Sequence, residues 1–278
     1  MGRHSKKASC VAVDSKTPPI QRLVVQPKAL PQPAYLEREL ASTYSCVLTD
    51  NGTGLTVQLT RALQAKGWNV IVLRFPETVV KPTAVMPQDL DQEMLQDMEE
   101  ASLQTALHHI AQTHGAIGAV IHLMPQHATP LSAQAILKHV FLMAKYVKAS
   151  LNKAGEQGYG CFVTVTRLDG ALGTCPRSPM STTDLPISGG LFGLTKSLNL
   201  EWPHVLCRTV DVSPDLDIST SVEAILAELH DPNRCITEVG YGTQGTQGRV
   251  TLVAQPQPEA PTNQSIQLSS SLNLNSVV

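Results

Sequence analysis

Apolar segments of two kinds alternate between residues 41 and 254. Segments of the first kind are short and almost continuously apolar, which is typical of strands buried on both faces of a sheet. Segments of the second kind repeat apolar residues every three or four positions, which predicts helices with one buried side. The predicted strands are 45–49, 68–73, 116–123, 161–166, 205–212, 236–239 and 249–253. The predicted helices cover about 55–67, 90–110, 136–151, 187–202 and 222–229.

This alternation predicts an α/β fold with a mostly parallel sheet, because parallel strands need helical crossovers and are covered on both faces. The first strand runs into a glycine-containing turn at 50–56 and then into a helix. That order is typical of a doubly wound, Rossmann-like sheet with flanking helices. We therefore expect a Rossmann-like domain over 41–254, in a truncated or degenerate form of the dinucleotide-binding fold.

The two ends of the chain differ from this domain in composition. Residues 1–40 contain five prolines and have a net charge of +4, from seven basic and three acidic residues. Residues 255–278 are rich in Pro, Gln, Ser and Asn and carry one charge, Glu259. Such segments bury too little apolar surface to offset their ordering entropy. We expect a Pro-rich linker at 1–40, a polar disordered linker at 255–278, and an origin within a longer polypeptide.

The overall composition excludes several classes of function. The net charge is −2 and aromatic residues make up 4% of the chain, which argues against nucleic acid or an anionic membrane as a partner. No apolar run approaches the roughly 20 residues of a membrane span. The six cysteines form no CxxC pair and no Cys/His spacing of a zinc site, so we expect free thiols, no metal and a cytoplasmic location. Charged residues are only 16% of the chain, which indicates a partly covered surface.

The glycine turn is a candidate dinucleotide site. Gly52 and Gly54 allow a close approach of backbone to a pyrophosphate, and the following helix contributes positive potential. The third expected glycine is absent, and Asp50 places a negative charge beside the expected phosphates. At the end of the second strand, Arg74 is a candidate contact for a 2′-phosphate. Two interpretations remain open here: a cofactor loop, or a tight turn needed for packing.

A longer motif supplies a family resemblance. The sequence GGLFGLTKSLNLEWP at 189–203, with CRTVD at 207–211, resembles the ketoreductase domains of polyketide synthases. The sequences TDNGTGL at 49–55, KGWNVIVLRFP at 66–76 and EVGY at 238–241 are similar to the ketoreductase region of bacterial polyunsaturated fatty acid synthases. The resemblance covers about 44–253.

Such ketoreductases consist of two Rossmann-like halves, and this chain looks like the N-terminal, structural half. The resemblance implies that NADPH and the Ser/Tyr/Lys/Asn chemistry belong to the other half, and that this chain holds no cofactor. It also implies three kinds of partner: the catalytic ketoreductase subdomain, an acyl carrier protein and other synthase domains. The reaction of the whole unit would be reduction of a β-ketoacyl group.

Alignment with the family motif places Phe192 and Lys196 at the positions of its catalytic Tyr and Lys. Phe has no proton to give to a reduced carbonyl. Thr166 stands near the place of the family's Ser after the fourth strand, and no Asn-Ala-Gly-like turn follows the third strand. We therefore predict a retained fold without the chemistry. Two alternatives are an active NADP(H) reductase that uses Lys196 and Thr166, and a ligand-sensing module that binds NADP(H) without turnover.

Overall fold

Helices and strands alternate along almost the whole described chain. A computed structural model describes residues 22–125, 129–175, 184–242 and 248–256. The helices are α1 (Gly54–Ala65), α2 (Glu100–His114), α3 (Pro130–Glu156), α4 (Asp184–Glu201) and α5 (Ile218–His230). The strands are β1 (Leu23–Ala29), β2 (Tyr44–Thr49), β3 (Asn69–Arg74), β4 (Gln92–Met94), β5 (Ala116–Leu123), β6 (Cys161–Thr166), β7 (Leu206–Val212), β8 (Glu238–Tyr241) and β9 (Arg249–Pro256).

All nine of these strands belong to one sheet, in the order β1-β9-β8-β7-β6-β5-β2-β3-β4. The neighbours from β4 to β8 pair in parallel, and β8 pairs with β9 antiparallel. The chain moves outward from β2 through β3 to β4, then returns to the other side of β2 at β5. The predicted doubly wound, mostly parallel α/β fold is thus confirmed, and its switch point lies between β2 and β5.

Two hydrophobic clusters cover the two faces of the sheet. Helices α1 and α5 pack on one face, with Leu59 and Ile225 fully buried. Helices α2, α3 and α4 pack on the other, where Ile110, Val140 and Leu191 are fully buried. Each such aliphatic side chain contributes roughly 1.5–3 kcal/mol by leaving water.

The chain divides into a unit of residues 26–253 and a second unit of residues 1–25 and 254–278. The second unit is described only at 22–25 and 254–256, so the features below belong to the first. Among the described residues, no helix has both the length and the apolar character needed to cross a membrane.

Two elements differ from the sequence prediction. Strand β1 lies inside the segment predicted as a linker, and Leu40 is also buried. Pro27 argues against a strand there, yet β1 is an edge strand, where a missing N–H is tolerated. The second helix begins at Glu100 rather than near Leu90, because residues 92–94 pair with β3 as the opposite edge strand. The exact limits of the two linkers stay a prediction.

Candidate functional site

The glycine turn lies at the carboxyl end of β2, where doubly wound sheets bind their ligands. Side chains of the turn form hydrogen bonds to backbone and hydroxyl groups of the same turn. Asp50 Oδ1 accepts the Gly52 N–H at 2.8 Å. Asn51 Oδ1 accepts the N–H of Thr53 at 3.1 Å and the hydroxyls of Thr53 and Thr56 at 2.9 and 2.8 Å. The Thr53 hydroxyl in turn caps α1 by accepting the Leu55 N–H at 3.2 Å.

The segment 80–83 lies against Gly52. The Thr83 N–H and hydroxyl both donate to the Gly52 carbonyl, at 2.6 and 2.9 Å. Gly52 has φ +78°, and a Cβ there would lie 3.0 Å from the Lys81 carbonyl oxygen. At Gly54, a Cβ would lie 3.2 Å from Ile218 Cδ1 of α5. Both glycines therefore allow a close approach of protein atoms.

Arg74 forms an ion pair with Asp50 of the same turn. Its Nε lies 3.3 Å from Asp50 Oδ2, and the two side chains are 19% and 8% exposed. A second nitrogen of Arg74 donates to Gln92 Oε1 at 3.2 Å. Asp50 therefore contacts both Gly52 and Arg74, whereas Gly54 lies against Ile218 of α5, and the cofactor role of these three residues stays a prediction.

A cavity of about 250 Å³ remains beside the turn. It is lined by Asn51, Thr53, Lys81, Thr83 and Ser132, among others. Asn51 is 2% exposed, and its Nδ2 has no hydrogen-bond partner among the described residues. The polar lining and the lysine leave room for a small polar ligand.

At the ends of β6 and β7, Thr166 is buried and its hydroxyl donates to Asp211 Oδ1 at 2.9 Å. The same carboxylate accepts the N–H groups of Leu168 and Leu172, at 2.8 and 3.0 Å. Burial raises the pKa of Asp211, and these three donors act in the opposite direction. The Thr166 hydroxyl is therefore used inside the protein.

A second aspartate organises residues 169–175, which follow β6. The carboxylate of Asp169 accepts the N–H groups of Ala171, Gly173 and Cys175, at 2.7–2.9 Å. Leu172 has φ +61°, in the left-handed region that is uncommon for residues other than glycine. The loop thus holds Leu172 in a defined, strained position.

Phe192 packs against this loop. It is 8% exposed and forms a small apolar cluster with Leu168 and Leu172, to which the partly buried Leu252 adds. The Phe192 ring is thus surrounded by the chain's own apolar side chains.

Lys196 follows four residues later on α4. Its Nζ lies 2.6 Å from Glu238 Oε2 of β8, with the lysine side chain 47% exposed and the glutamate 9% exposed. Thr166, Phe192 and Lys196 therefore each have a partner within the chain.

The end of β5 carries a buried histidine. His122 Nδ1 lies 2.9 Å from the Thr49 hydroxyl, and its Nε2 has no partner within the described part of the chain. Burial lowers the pKa of His122 to about 3, so the ring is neutral at pH 7. In the four described ranges, no three His, Cys, Asp or Glu residues are grouped to hold a metal ion.

The sequence alone does not predict which residues form hydrogen bonds or ion pairs with the candidate site residues. The pattern along the chain places Asp211 only within a strand, and Asp50 only as a charge beside phosphates. A signal is available for Asp211, because an acidic residue inside an otherwise apolar buried strand needs hydrogen-bond partners.

No protein-family model matches the chain. A curated relative from Thraustochytrium sp., one of the subunits of a polyunsaturated fatty acid synthase, is 30% identical over 221 residues. The matched residues are 78% of this chain and 8% of the relative.

The chain is therefore similar to one region of a much longer synthase polypeptide, of which it spans only 8%. The predicted resemblance to polyunsaturated fatty acid synthases is confirmed at this level.

Solved structures share the fold. An apo SCOR enzyme from Clostridium thermocellum has a TM-score of 0.55 at 14% identity, covering 70% of this chain and 89% of that one. The dehydrogenase Cj0485 has a TM-score of 0.54 at 10% identity, with coverages of 72% and 92%. At these identities the likeness shows the fold alone.

Proposed function

We propose that this chain is the non-catalytic, structural subdomain of a β-ketoacyl reductase in a polyunsaturated fatty acid or polyketide synthase. It braces the NADPH-binding catalytic half, which reduces the β-ketoacyl group carried on an acyl carrier protein. The observation that carries the proposal is Phe192, an apolar ring packed under Leu168 and Leu172 where the resembling family has its proton-donating tyrosine. The similarity to part of a fatty acid synthase supports the setting.

The remaining polar groups support the same conclusion. A carbonyl substrate needs a donor, and the Thr166 hydroxyl already donates to Asp211. A ribose contact needs a cation free to reach it, and Lys196 is ion-paired with Glu238. The three family positions at 166, 192 and 196 therefore offer no group positioned for proton transfer.

The glycine turn is a poor fit for a dinucleotide pyrophosphate. A phosphate would need a hydrogen bond from the Gly52 N–H, but that group already donates to Asp50 Oδ1. The segment 80–83 also lies against the glycine. Arg74 is also paired with Asp50, whose carboxylate would repel a phosphate. We propose that this chain holds no cofactor and that NADPH belongs to its partner.

A ligand-sensing function is the alternative, favoured by the cavity beside the turn and by Lys81 in its lining. Titration of the chain with NADPH, followed by cofactor fluorescence, separates the two. We expect no saturable binding up to about millimolar cofactor. Stoichiometric binding that Lys81→Ala abolishes and Lys153→Ala preserves would establish sensing instead.

The bracing role is tested by co-expression with the catalytic half of the same reductase. We expect the two to co-purify and the catalytic half to gain thermal stability, because a partner that binds only the folded state stabilises it. Two folded halves that do not associate would contradict the role.

We also propose a cytoplasmic location. The five cysteines in the described residues are all free, and Cys46, Cys161 and Cys207 are buried. Free buried thiols are typical of a reducing compartment. Labelling of denatured protein from cells with a thiol reagent should find all six cysteines reduced.

A further inference from the structure

Residues 30–40 form an irregular segment between β1 and β2, the strap, which covers the carboxyl end of α5. Most side chains of the strap point to solvent, including Tyr35 at 53% and Leu36 at 51% exposure. His230, the last residue of α5, is nevertheless 0% exposed. The strap contributes to that burial, because the Tyr35 ring lies 4.7 Å from the imidazole ring, measured between their centres.

Two attachments hold the strap, and they differ in chemistry. At its start, the Leu30 N–H donates to the Arg249 carbonyl at 2.9 Å, and the Arg249 side chain donates to the next strap carbonyl at 2.9 Å. Further along, the Leu36 N–H donates to the His230 carbonyl at 3.0 Å, and the Arg38 N–H donates to His230 Nδ1 at 3.1 Å. Arginine keeps its charge near neutral pH, whereas histidine changes its charge there. The second attachment can therefore respond to pH in a range where the first cannot.

The contact with Arg38 fixes the protonation of the imidazole. A backbone N–H can only donate, so Nδ1 accepts with its lone pair, and His230 is neutral in this arrangement. A protonated imidazole carries hydrogens on both nitrogens, so Nδ1–H would face the Arg38 N–H, one donor against another. Protonation therefore removes one of the two hydrogen bonds of this attachment and replaces it with a repulsive contact.

The surroundings of His230 oppose its protonation. Burial is the main cause that lowers the pKa of His230 from the ordinary 6.5, and the cations of Lys66 and Arg38 act in the same direction. A backbone group of Leu36 and the carboxylate of Glu37 act in the opposite direction. The other charged and titratable groups at this end of α5 have partners within the chain, namely Glu228 and Asp231 with Arg208 and Arg249, Tyr35 with Lys66, and Tyr159 with the Leu229 carbonyl.

We propose that the strap is a pH-sensitive fastening, in which neutral His230 holds residues 35–38 on α5 and protonation of His230 releases them. A released ring has the ordinary pKa of 6.5, and the covered ring has a lower one. The fastened state is therefore fully favoured above about pH 6.5 and is lost progressively as the pH falls below that value. Because the strap leads from the edge strand β1 to the central strand β2, its release changes how firmly the segment before β2 is attached to the domain.

Hydrogen exchange of the full chain tests the release directly. Amide protection is measured by NMR between pH 7.5 and 5.0 and corrected for the pH dependence of intrinsic exchange. Protection of the Arg38 amide should fall several-fold over this range, with about thirtyfold as the limit for one proton and a released pKa of 6.5. The Leu30 amide, which belongs to the Arg249 attachment, should keep its protection and is the internal control.

A variant identifies the titrating group. His230→Gln keeps a side-chain oxygen that can accept a hydrogen bond but cannot be protonated near neutral pH. In this variant, the protection of the Arg38 amide should no longer depend on pH. His114→Gln is the matched control, because His114 is likewise the last residue of its helix, α2, and should leave the pH dependence unchanged. Circular dichroism and Tm show whether both variants fold.

A second measurement on the unaltered chain needs no variant. The His230 ring should titrate below pH 6.5 by NMR, and its midpoint should coincide with the change in the Arg38 amide signal. Equal Arg38 protection at pH 7.5 and 5.0 would overturn the proposal. Equal losses at Leu30 and Arg38 would overturn it as well, because they would show that the whole sheet edge opens. An unchanged pH dependence in His230→Gln would assign the effect to another group and overturn it too.

Discussion

The two sides of α4 differ in how far they are buried by contacts within the chain. The inner side packs Phe192 against Leu168 and Leu172, and buries the Thr195 hydroxyl between the Thr164 hydroxyl and the Leu191 carbonyl. The outer side exposes Gly189, Gly193 and Leu200 to solvent. The inner side of α4 is therefore satisfied by contacts within the chain, whereas its outer side leaves apolar surface in water.

This difference separates two kinds of function. A catalytic or binding cleft needs donors and acceptors that are free until the ligand arrives. The inner region uses its Thr166 hydroxyl and Asp211 carboxylate within the chain. The outer face leaves apolar surface in water, which is favourable to cover. The comparison predicts large stability effects for inner substitutions and small ones for outer substitutions.

The largest effect is expected for Asp211→Ala. The variant leaves the Thr166 hydroxyl and the N–H groups of Leu168 and Leu172 without their acceptor. Each buried donor left unsatisfied costs about 1–3 kcal/mol, so the free energy of unfolding should fall by about 3 kcal/mol or more. Urea denaturation measures it. The exposed Asp215→Ala is the control and should stay within about 0.5 kcal/mol; a similar loss in both would contradict the role of Asp211.

A second effect concerns acid. His122 has a pKa of about 3 in the folded chain against 6.5 for an ordinary histidine. The unfolded chain therefore binds the proton first, and stability falls as pH drops below about 6.5. Between pH 7.5 and 5.0 the loss from this group is about 2 kcal/mol.

Urea titrations at the two pH values check the acid effect. His122→Leu should reduce the difference between them by about 2 kcal/mol. The stability of this variant at one pH is not the test, because it also removes the partner of Thr49. An unchanged pH dependence would show that His122 has the same pKa in the folded and the unfolded chain.

Phe192→Tyr should have a moderate effect. The added hydroxyl enters an apolar cluster and should lower the free energy of unfolding by about 1 kcal/mol. It should not create carbonyl-dependent NADPH oxidation, because the Thr166 hydroxyl and Lys196 stay engaged. Phe141→Tyr, at a residue of α3 that is 56% exposed, is the control and should be nearly neutral. A gain of reductase activity in Phe192→Tyr would show that the inner region is an open site.

The central strands could be predicted from the sequence, because runs such as Val70–Leu73 are apolar at every position, as a strand buried on both faces requires. The edge strands β1 and β4 and the start of α2 could not. Leu90 and Met94 are four residues apart, which is the spacing of two residues on one side of a helix. In the structure Leu90 is buried, whereas Met94 is exposed and belongs to the edge strand β4. Pairing with β3 decided between a helix and a strand.

The candidate site divides in the same way. Phe192 and the incomplete glycine turn are visible along the chain. The contacts between polar residues of the site are not visible, because the partners are far apart in the sequence. Asp50 and Arg74 are 24 residues apart, and Thr166 and Asp211 are 45 apart. These pairs depend on which strands are neighbours in the sheet, and hydrophobic periodicity does not contain that order.

The smallest effect is expected on the outer side, for Leu200→Ser. The side chain is 85% exposed, so its removal takes little apolar area from the core, and serine lowers helix propensity only slightly. The free energy of unfolding should change by less than about 0.5 kcal/mol, as measured by urea denaturation beside the buried Leu198→Ser. The latter should lose several kcal/mol, because it creates a cavity beneath the same helix. If Leu200→Ser destabilised the isolated chain as strongly, Leu200 would belong to the chain's own core, and the open side of α4 would be as closed as its inner side.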